Sequence, residues 1–465
     1  MNIYIGSQIE IYKPSGMLKV WAKQNLTVDN PEYIKRLRMG KWLENTPQKI
    51  SLYEENGDTL ILPYGCLGHI IPYTTNRDIV IGTFRKASKV DYNATIPLFD
   101  YQRDAVEALD KAYYGILQAP AGSGKTRCGI ALTAKLGLRT LWLTHTSDLL
   151  NQSMTAAKEF IDPKLIGTIT EGKVKIGKGL TFATVQTMCK MDLEKYRNTW
   201  DVIIVDECHR VAGTPTSVSM FSKVLGSLCA RRKYGLSATL HRSDGLIKST
   251  FALLGDIRHV VPDEAVCGRI MHVSIKTLCT RLPMSDECLD TDGTILYNNL
   301  ISYITRNKNR NKFIVSQLVQ SADHHNLILS DRVAHLEELM SLLPPEQRAL
   351  AVKIDGKMTS KKGKEERQEA LEQMRTGEKR YLFATYQLAR EGLDIPCLDR
   401  LHLATPVKDY AVVTQSVGRI ARIAPNKDIP VVYDYVDEDF GYLVRAYKDR
   451  CRSYRKLGCE FIKEE

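Results

Sequence analysis

The segment Ala119-Pro-Ala-Gly-Ser-Gly-Lys-Thr126 carries the residue types of a phosphate cradle. It follows a strand-like run, Gly115–Ala119, and precedes a helix-like one, Arg127–Leu136. Across Ala121, Gly122, Ser123 and Gly124 the two glycines let backbone N–H groups close on phosphate oxygens, and the new helix turns its positive end there. Lys125 adds a point charge at the β- and γ-phosphates, and the Thr126 hydroxyl is a ligand for Mg²⁺. The first glycine of the strict pattern is replaced by Ala119. A chance glycine-rich turn is the bland alternative; the order strand, loop, helix argues against it. ATP with Mg²⁺ is the expected cofactor.

A second chemical group lies downstream. The apolar run Val202-Ile-Ile-Val205 ends in Asp206-Glu207-Cys208-His209. A carboxylate at the carboxyl end of a parallel strand sits beside a phosphate loop of the same sheet. Asp206 would then hold Mg²⁺, and Glu207 would orient and deprotonate the attacking water. Two adjacent acids also suit a helix N-terminus; the phosphate loop upstream favours the metal reading.

The elements that must position these groups form two alternating β/α regions. In the first, strands are expected at Gly115–Ala119, Thr140–Thr144, Leu180–Ala183, Val202–Val205 and Tyr234–Ser237. In the second they are expected at Asn326–Ser330, Ala351–Ile354, Arg380–Ala384, Arg400–Ala404 and Pro430–Tyr435. Each is a short apolar run with helical stretches between, the pattern of a parallel sheet covered on both faces. Two such lobes in series imply a cleft between them. The expected division is an accessory domain over 1–94, a first lobe over 95–262, a connector over 263–296 and a second lobe over 297–465. The accessory domain reads as small mixed α/β, with a basic helix over Pro31–Gly40. It also reads as a hairpin, Ile50–Tyr53 with Thr59–Leu62, turning at Asn56-Gly57.

Composition agrees with a globular chain acting on a polyanion. Of 465 residues, 43% are hydrophobic and 26% charged, and Lys+Arg 65 against Asp+Glu 54 leaves a net charge of +11. The 11 cysteines include no Cys-x-x-Cys pair, which reads as reduced thiols and no structural zinc. No run reaches the roughly 18 apolar residues of a membrane span, and Met1-Asn-Ile-Tyr4 does not resemble a signal peptide. A cytoplasmic chain, in host cytoplasm if phage-encoded, is expected, acting as a monomer without membrane contact.

These motifs, taken with those that follow, resemble the superfamily 2 helicases and translocases over residues 99–422. Phe99-Asp-Tyr-Gln102 is similar to the family segment that reads adenine through a glutamine, here Gln102. Thr144-His145 with Gln152, and Thr184 with Gln186, are similar to the strand-contacting motifs of the first lobe. Ser237-Ala-Thr239 is similar to the motif that couples hydrolysis to nucleic-acid contact. In the second lobe Ser330 and Arg332 fit the next strand-contacting motif. Thr385 and Arg390-Glu-Gly392-Leu-Asp394 fit the motif touching backbone and ribose. Gln415-Ser-Val-Gly-Arg419-Ile-Ala-Arg422 resembles the arginine-finger helix. Gln415, Arg419 and Arg422 are spaced i, i+4 and i+7, one helix face, where a guanidinium would stabilise transition-state charge. The resemblance implies two tandem RecA-like lobes.

Within the superfamily, Leu26–Tyr33, Arg38–Trp42 and Leu236–Gly245 resemble phage and plasmid helicases related to UvsW, and more distantly XPB and RecG. That implies a DNA translocase acting on forks and four-way junctions, contacting mainly the sugar-phosphate backbone. The alternatives are an RNA helicase, an ATP-switched clamp and a restriction-type translocase subunit. Two basic runs, Arg306–Lys312 and the helix Arg445–Lys456 with Lys448, Arg450, Arg452 and Arg455, are either extra DNA surface or solvated faces. Trp21 and Trp42 are either core or stacking residues.

Overall fold

The computed structural model describes residues 1–462 except 41, 44, 121, 171, 239, 241–244, 267–270, 284, 357, 359, 391, 392 and 394. At 38, 361, 364, 390 and 411 it describes the backbone alone. The chain divides into two compact units, Met1–Ala265 and Val266–Glu465.

The first unit opens with seven short strands: β1 (Asn2–Ile5), β2 (Gln8–Tyr12), β3 (Thr27–Asp29), β4 (Lys49–Ser51), β5 (Glu54–Asn56), β6 (Thr59–Pro63) and β7 (Ile79–Gly82). Five of them form one sheet in the order β5-β6-β2-β1-β7, antiparallel except for the parallel pair β1·β7. Alternation along β2 buries Ile9 and Ile11 on one face. The hairpin turns where expected, but its first strand is Glu54–Asn56, with Asn56 opposite Thr59. Ile50 belongs instead to β4, which pairs with β3 through Val28. Val28 packs with Ala212, Val218 and Leu246 of the following domain, and that burial draws Ile50 away from the hairpin. The basic helix covers Pro31–Arg38, capped by Asn30 with Pro31 at its first position.

The same unit holds a larger sheet of β8 (Tyr114–Gln118), β9 (Thr140–Thr144), β10 (Ile166–Thr170), β11 (Lys173–Lys175), β12 (Leu180–Thr184), β13 (Val202–Asp206), β14 (Arg232–Ser237) and β15 (Ile257–Val260). Its order is β11-β10-β12-β9-β13-β14-β8-β15, parallel throughout except β10·β11. Leu117, Trp142, Phe182, Ile204 and Leu236 pack into one cluster. The alternate residues Ile116, Leu141, Leu143, Ile203 and Val205 pack into another. Both faces of the sheet are therefore covered, which is why its strands read as continuous apolar runs. The five expected strands appear within two residues of their expected ends; β10, β11 and β15, at or near the sheet edges and less apolar, went unread.

Residues 1–94 pack onto this lobe. Lys233, fully buried, donates from Nζ to Ser7 O and Leu225 O, each at 2.7 Å, and lies 4.8 Å from the Tyr64 ring centre. Tyr64 Oη donates to Arg231 O at 2.7 Å, and Ser88 N–H to Asp201 at 3.1 Å.

The second unit holds β16 (Ser274–Thr280), β17 (Asn326–Ser330), β18 (Ala351–Ile354), β19 (Tyr381–Thr385), β20 (Arg400–Leu403), β21 (Val431–Asp437) and β22 (Glu460–Phe461). Their order is β18-β19-β17-β20-β21-β16-β22, all parallel. The stretch read as connector thus supplies β16, paired along its length with β21.

The basic runs divide by burial. Arg310 donates to both carboxylate oxygens of Asp437, at 2.7 and 3.2 Å, and Arg450 forms a forked pair with Asp434 at 2.8 Å. Both arginines are about 1–2% exposed, so neither belongs to a basic outer face; Lys448, Arg452 and Arg455 remain partly or fully exposed. Burial demands a fixed counter-charge for a guanidinium, and β21 supplies two.

Two outcomes follow. Arg450→Ala strands Asp434 in the core and is expected to destabilise the second unit by about 3–5 kcal/mol; Arg452→Ala leaves that transition in place. Urea denaturation of the two variants decides it. Burial also pushes the Lys233 ammonium down to about 7 from 10.5. Between those values the unfolded chain binds more protons, so stability of the first unit rises with pH across the window. Lys233→Met is expected to abolish that rise relative to wild type in denaturation at both ends of the window.

Candidate functional site

The phosphate loop leaves the carboxyl end of β8 and enters the helix Lys125–Leu136. Gly122 and Gly124 adopt φ of +82° and +78°, the left-handed region that side chains disfavour. A Cβ on Gly124 would also lie 2.4 Å from Gln102 Nε2. That amide nitrogen donates to Ser123 O at 2.8 Å, joined by Tyr101 Oη at 3.0 Å, and Gln102 Oε1 accepts from Phe99 N–H. Gln102 therefore clamps the loop as well as capping its own helix. Lys125 Nζ folds onto the carbonyls of Ala119 and Pro120 at 3.3 and 3.2 Å. Ser123 Oγ is buried without a partner among the described residues, and Thr126 is half-buried on the first helical turn. Ala121 lies outside the described residues.

The acidic pair ends the adjacent strand but one. β13 and β14 register Asp206 with Leu236, and β14 and β8 register Ser237 with Gln118. Acids, coupling motif and loop thus share one level of the sheet, and Ala119 N–H donates to Ser237 O at 3.0 Å. Asp206 is buried and accepts from Ser153 Oγ and Glu207 N–H, each at 2.9 Å. Burial first, then the Glu207 charge, raise its carboxyl well above the usual range, while Ser153 and Lys125 pull it down. A cation at this carboxylate would offset that desolvation. Hard oxygen donors from Asp206 and Thr126 beside a phosphate cradle fit Mg²⁺; bound there, it would neutralise phosphate charge.

Glu207 itself sits at φ 48°, ψ 50°, a left-handed non-glycine residue. Such strain costs of order 1–3 kcal/mol and clusters at functional positions. The turn brings His209 Nδ1 to 3.2 Å from Glu207 Oε2 and 3.1 Å from Ser237 Oγ. His209 and Ser153 were not picked out from the sequence, although His209 stands in the same four-residue motif. Thr239 lies outside the described residues.

The strand-contacting candidates cluster at the same edge. His145 Nδ1 lies 3.4 Å from Gln186 Nε2, and burial holds the imidazole below its ordinary pKa. Thr144 Oγ1 donates to Thr146 O, and Thr184 Oγ1 caps the helix Val185–Cys189 by accepting from Thr187 N–H. Both hydroxyls thus serve the local turns. Gln152 lies half-buried on the helix Ser147–Lys158.

In the second unit Ser330 turns inward. Its hydroxyl lies 3.0 Å from His335 Nδ1 and accepts from Arg332 N–H, while His335 Nε2 meets Asn311 Oδ1 at 3.0 Å. Arg332 reaches Asn298 Oδ1 at 3.2 Å. Thr385 ends β19, half-buried. Arg390 ends the helix Tyr386–Arg390 with its side chain outside the described part, as are Gly392 and Asp394. The helix Tyr410–Ile420 carries Gln415 and Arg419. Arg419 donates to Ala389 O and Leu393 O, both at 3.0 Å, and Gln415 Oε1 is buried without a partner among the described residues. Arg422 falls beyond the helix, which corrects the shared-face reading. The chain leaves the helix there, with Ala421 O accepting from Met271 N–H at 2.7 Å.

The turn leading into that helix is held from several sides. Arg310 donates to Ala404 O at 2.8 Å, Tyr386 Oη to Thr405 O at 2.6 Å, and Arg450 to Val407 O at 2.7 Å. Asp331 N–H donates to Thr405 Oγ1 at 2.9 Å. A histidine cluster elsewhere, His324 with Asp399 and Asp428, has metal-like spacing. Arg400 donates to His324 Nε2 at 2.8 Å, so Nδ1 carries the ring proton and meets Asp399 at 3.0 Å, leaving no ring lone pair for a cation.

Residues 95–242 match the family described as "Type III restriction enzyme, res subunit", and residues 301–424 match "Helicase conserved C-terminal domain". The chain belongs to the superfamily 2 helicases, an ATP-hydrolysing family. The helicase is 27% identical over 359 residues to a protein of Acanthamoeba polyphaga mimivirus named as a candidate ATP-dependent RNA helicase. That match covers 76% of this chain and 65% of the relative. It is 24% identical over 446 residues to the ATP-dependent DNA helicase uvsW of Enterobacteria phage T4, covering 88% of this chain and 84% of that one. Among solved structures, a fragment described as a candidate HsdR subunit of a type I restriction enzyme from Vibrio vulnificus shares the fold. Its TM-score is 0.53 and its identity 17%, with 73% of this chain and 65% of that chain covered. No helix among the described residues is long and apolar enough to cross a membrane.

Gly124→Ala is expected to weaken nucleotide binding by about 5- to 30-fold, because a left-handed conformation costs a residue with a Cβ about 1–2 kcal/mol and the loop would shift from its phosphate-binding shape, with the Gln102 clash in addition. A fluorescent-nucleotide titration measures the loss, and an affinity equal to wild type would show that the left-handed turn at Gly124 is not needed.

Proposed function

We propose that this helicase is an ATP-driven DNA translocase that unwinds or branch-migrates forked and four-way-junction DNA. The observation that carries the motor reading is the common level of loop, acids and Ser237 on one sheet edge. In the proposed cycle Lys125 and the loop N–H groups bind the phosphates, Asp206 and Thr126 hold Mg²⁺, and Glu207 takes the proton of the attacking water. Arg419 and Arg422 would supply positive charge to the phosphates, with the Gln415 amide as a hydrogen-bond donor. In this structure Arg419 is engaged with Ala389 O and Leu393 O, so that role requires a rearrangement on nucleotide binding. His209, between Glu207 and Ser237, is the link through which nucleotide state would reach the strand-contacting loops.

The choice of branched DNA rests on the accessory domain. With the first lobe it walls a cleft of about 1110 Å³ lined by Lys35, Arg36, Lys223 and hydroxyl residues such as Thr216, Ser219 and Ser222. Small hydroxyls with scattered cations suit a sugar-phosphate backbone. Trp42, 78% exposed, stands beyond the basic helix, and an aromatic ring of that kind stacks on bases. The similarity to a phage DNA helicase along most of both chains supports DNA; the mimivirus relative makes duplex RNA the reading to be tested against it.

Lys125→Ala is expected to abolish ATPase and unwinding while fork binding persists; a variant that still unwinds forks sinks the site assignment. Activity is compared on single strand, linear duplex, fork, four-way junction and RNA duplex, and equal or greater stimulation by RNA overturns the substrate. Lys35→Glu with Lys223→Glu should lower fork affinity and flatten its salt dependence by about one unit of log-log slope for each phosphate that is no longer neutralised.

A further inference from the structure

The strand β7 breaks a rule that soluble sheets keep. It is the last strand of the five-stranded sheet, paired on one side with β1 and on the other with no strand among the described residues. Its residues Ile79, Val80 and Ile81 are 56%, 57% and 42% exposed, so apolar side chains meet solvent on both faces. Edge strands are normally blunted by charge, proline or a bulge because an open ladder of N–H and C=O groups templates further pairing. Here Ile79-Val80-Ile81 carries none of these.

Backbone parity says which groups are open. Ile79 N–H donates to Met1 O at 3.1 Å and Thr83 N–H to Ile5 O at 2.8 Å. Odd-numbered residues therefore face β1, and the N–H and C=O of Val80, with Gly82 N–H and Asp78 C=O, face outward. The outward groups are symmetric about Val80. So are the side chains, since isoleucine flanks it on either side.

We propose that β7 is a self-association edge, at which two copies of this chain pair antiparallel about a two-fold axis through Val80. Val80 of each copy then exchanges N–H···O=C bonds with Val80 of the other, a hydrogen-bonded antiparallel pair. Gly82 N–H donates to Asp78 C=O of the second copy, and reciprocally. Ile79 faces the second copy's Ile81, in the non-hydrogen-bonded pairs where side chains approach most closely. Four isoleucines close one face and two valines the other. The same patch serves both copies, so the contact closes at two and joins the two five-stranded sheets. This departs from the monomer expected of the sequence, and it does not depend on the proposed activity.

The test is sedimentation velocity of the full chain across a micromolar concentration series. The wild type is expected to reach the mass of a dimer. Val80→Pro removes an outward N–H without touching a bond to β1, so the sheet survives and the dimer does not form. Ile79→Lys with Ile81→Lys should abolish it too, by placing cations face to face. ATPase per chain, at a site remote in sequence from β7, is expected to stay unchanged in Val80→Pro and reports an intact fold. A wild type that stays monomeric at every concentration, a dimer that survives both variants, open-ended assembly beyond two copies, or a wild type that pairs only with a different protein each overturns the proposal.

Discussion

Parallel strands end on one side, and everything chemical in this chain hangs on that constraint. Because β8, β9, β12, β13 and β14 run the same way, the loops after them emerge at a single edge. The phosphate loop, Thr144 and His145, Thr184 and Gln186, the acid pair and Ser237 are consequently neighbours despite sequence separations of many tens of residues. Register sharpens the gathering: Asp206 pairs with Leu236 and Ser237 with Gln118, so a slip of one residue would part Glu207 from its histidine bridge to Ser237. The second unit repeats the device, with β17, β19 and β20 delivering Ser330, Thr385 and the turn Ala404–Val407.

Burying charge fixes the second unit's critical turn. A guanidinium in the core demands a paired carboxylate and further acceptors for its remaining hydrogens. Arg310 and Arg450 meet the first demand with Asp437 and Asp434, and the second with Ala404 O and Val407 O. The helix bearing Gln415 and Arg419 is thereby set at its start by two ion pairs and braced further along by Arg419 itself. The backbone of that helix is thus fixed, while the Arg419 side chain would have to leave Ala389 O and Leu393 O to reach a phosphate.

The accessory domain joins the first lobe through a different device. Lys233 is buried without a carboxylate, held by two carbonyls and the Tyr64 ring, so its charge is costly and its geometry specific. It stands at the start of β14, the strand that ends at Ser237. The small domain is thus fixed to the strand that ends at Ser237, with the hydroxyl-lined cleft beside it.

The amino-acid sequence by itself determined the lobes and the nucleotide chemistry. Buried parallel strands must be apolar on both faces, which made Val202–Val205 or Asn326–Ser330 legible, and Gly122, Gly124 and Lys125 have few other uses in that order. Edge strands such as β11 and β15 lack that signature, so they did not show. Only the tertiary structure decided which polar residues face inward. Arg310 and Arg450 look like their basic neighbours until Asp437 and Asp434, more than a hundred residues from Arg310 and sixteen from Arg450, come beside them. Ser330, Thr144 and Thr184 serve local turns, and Arg422 lies past the end of the helix Tyr410–Ile420, beside Ala421, whose carbonyl accepts from Met271 N–H. Burial of charge and hydrogen-bond satisfaction are properties of the assembled core, and composition or spacing carries no record of them.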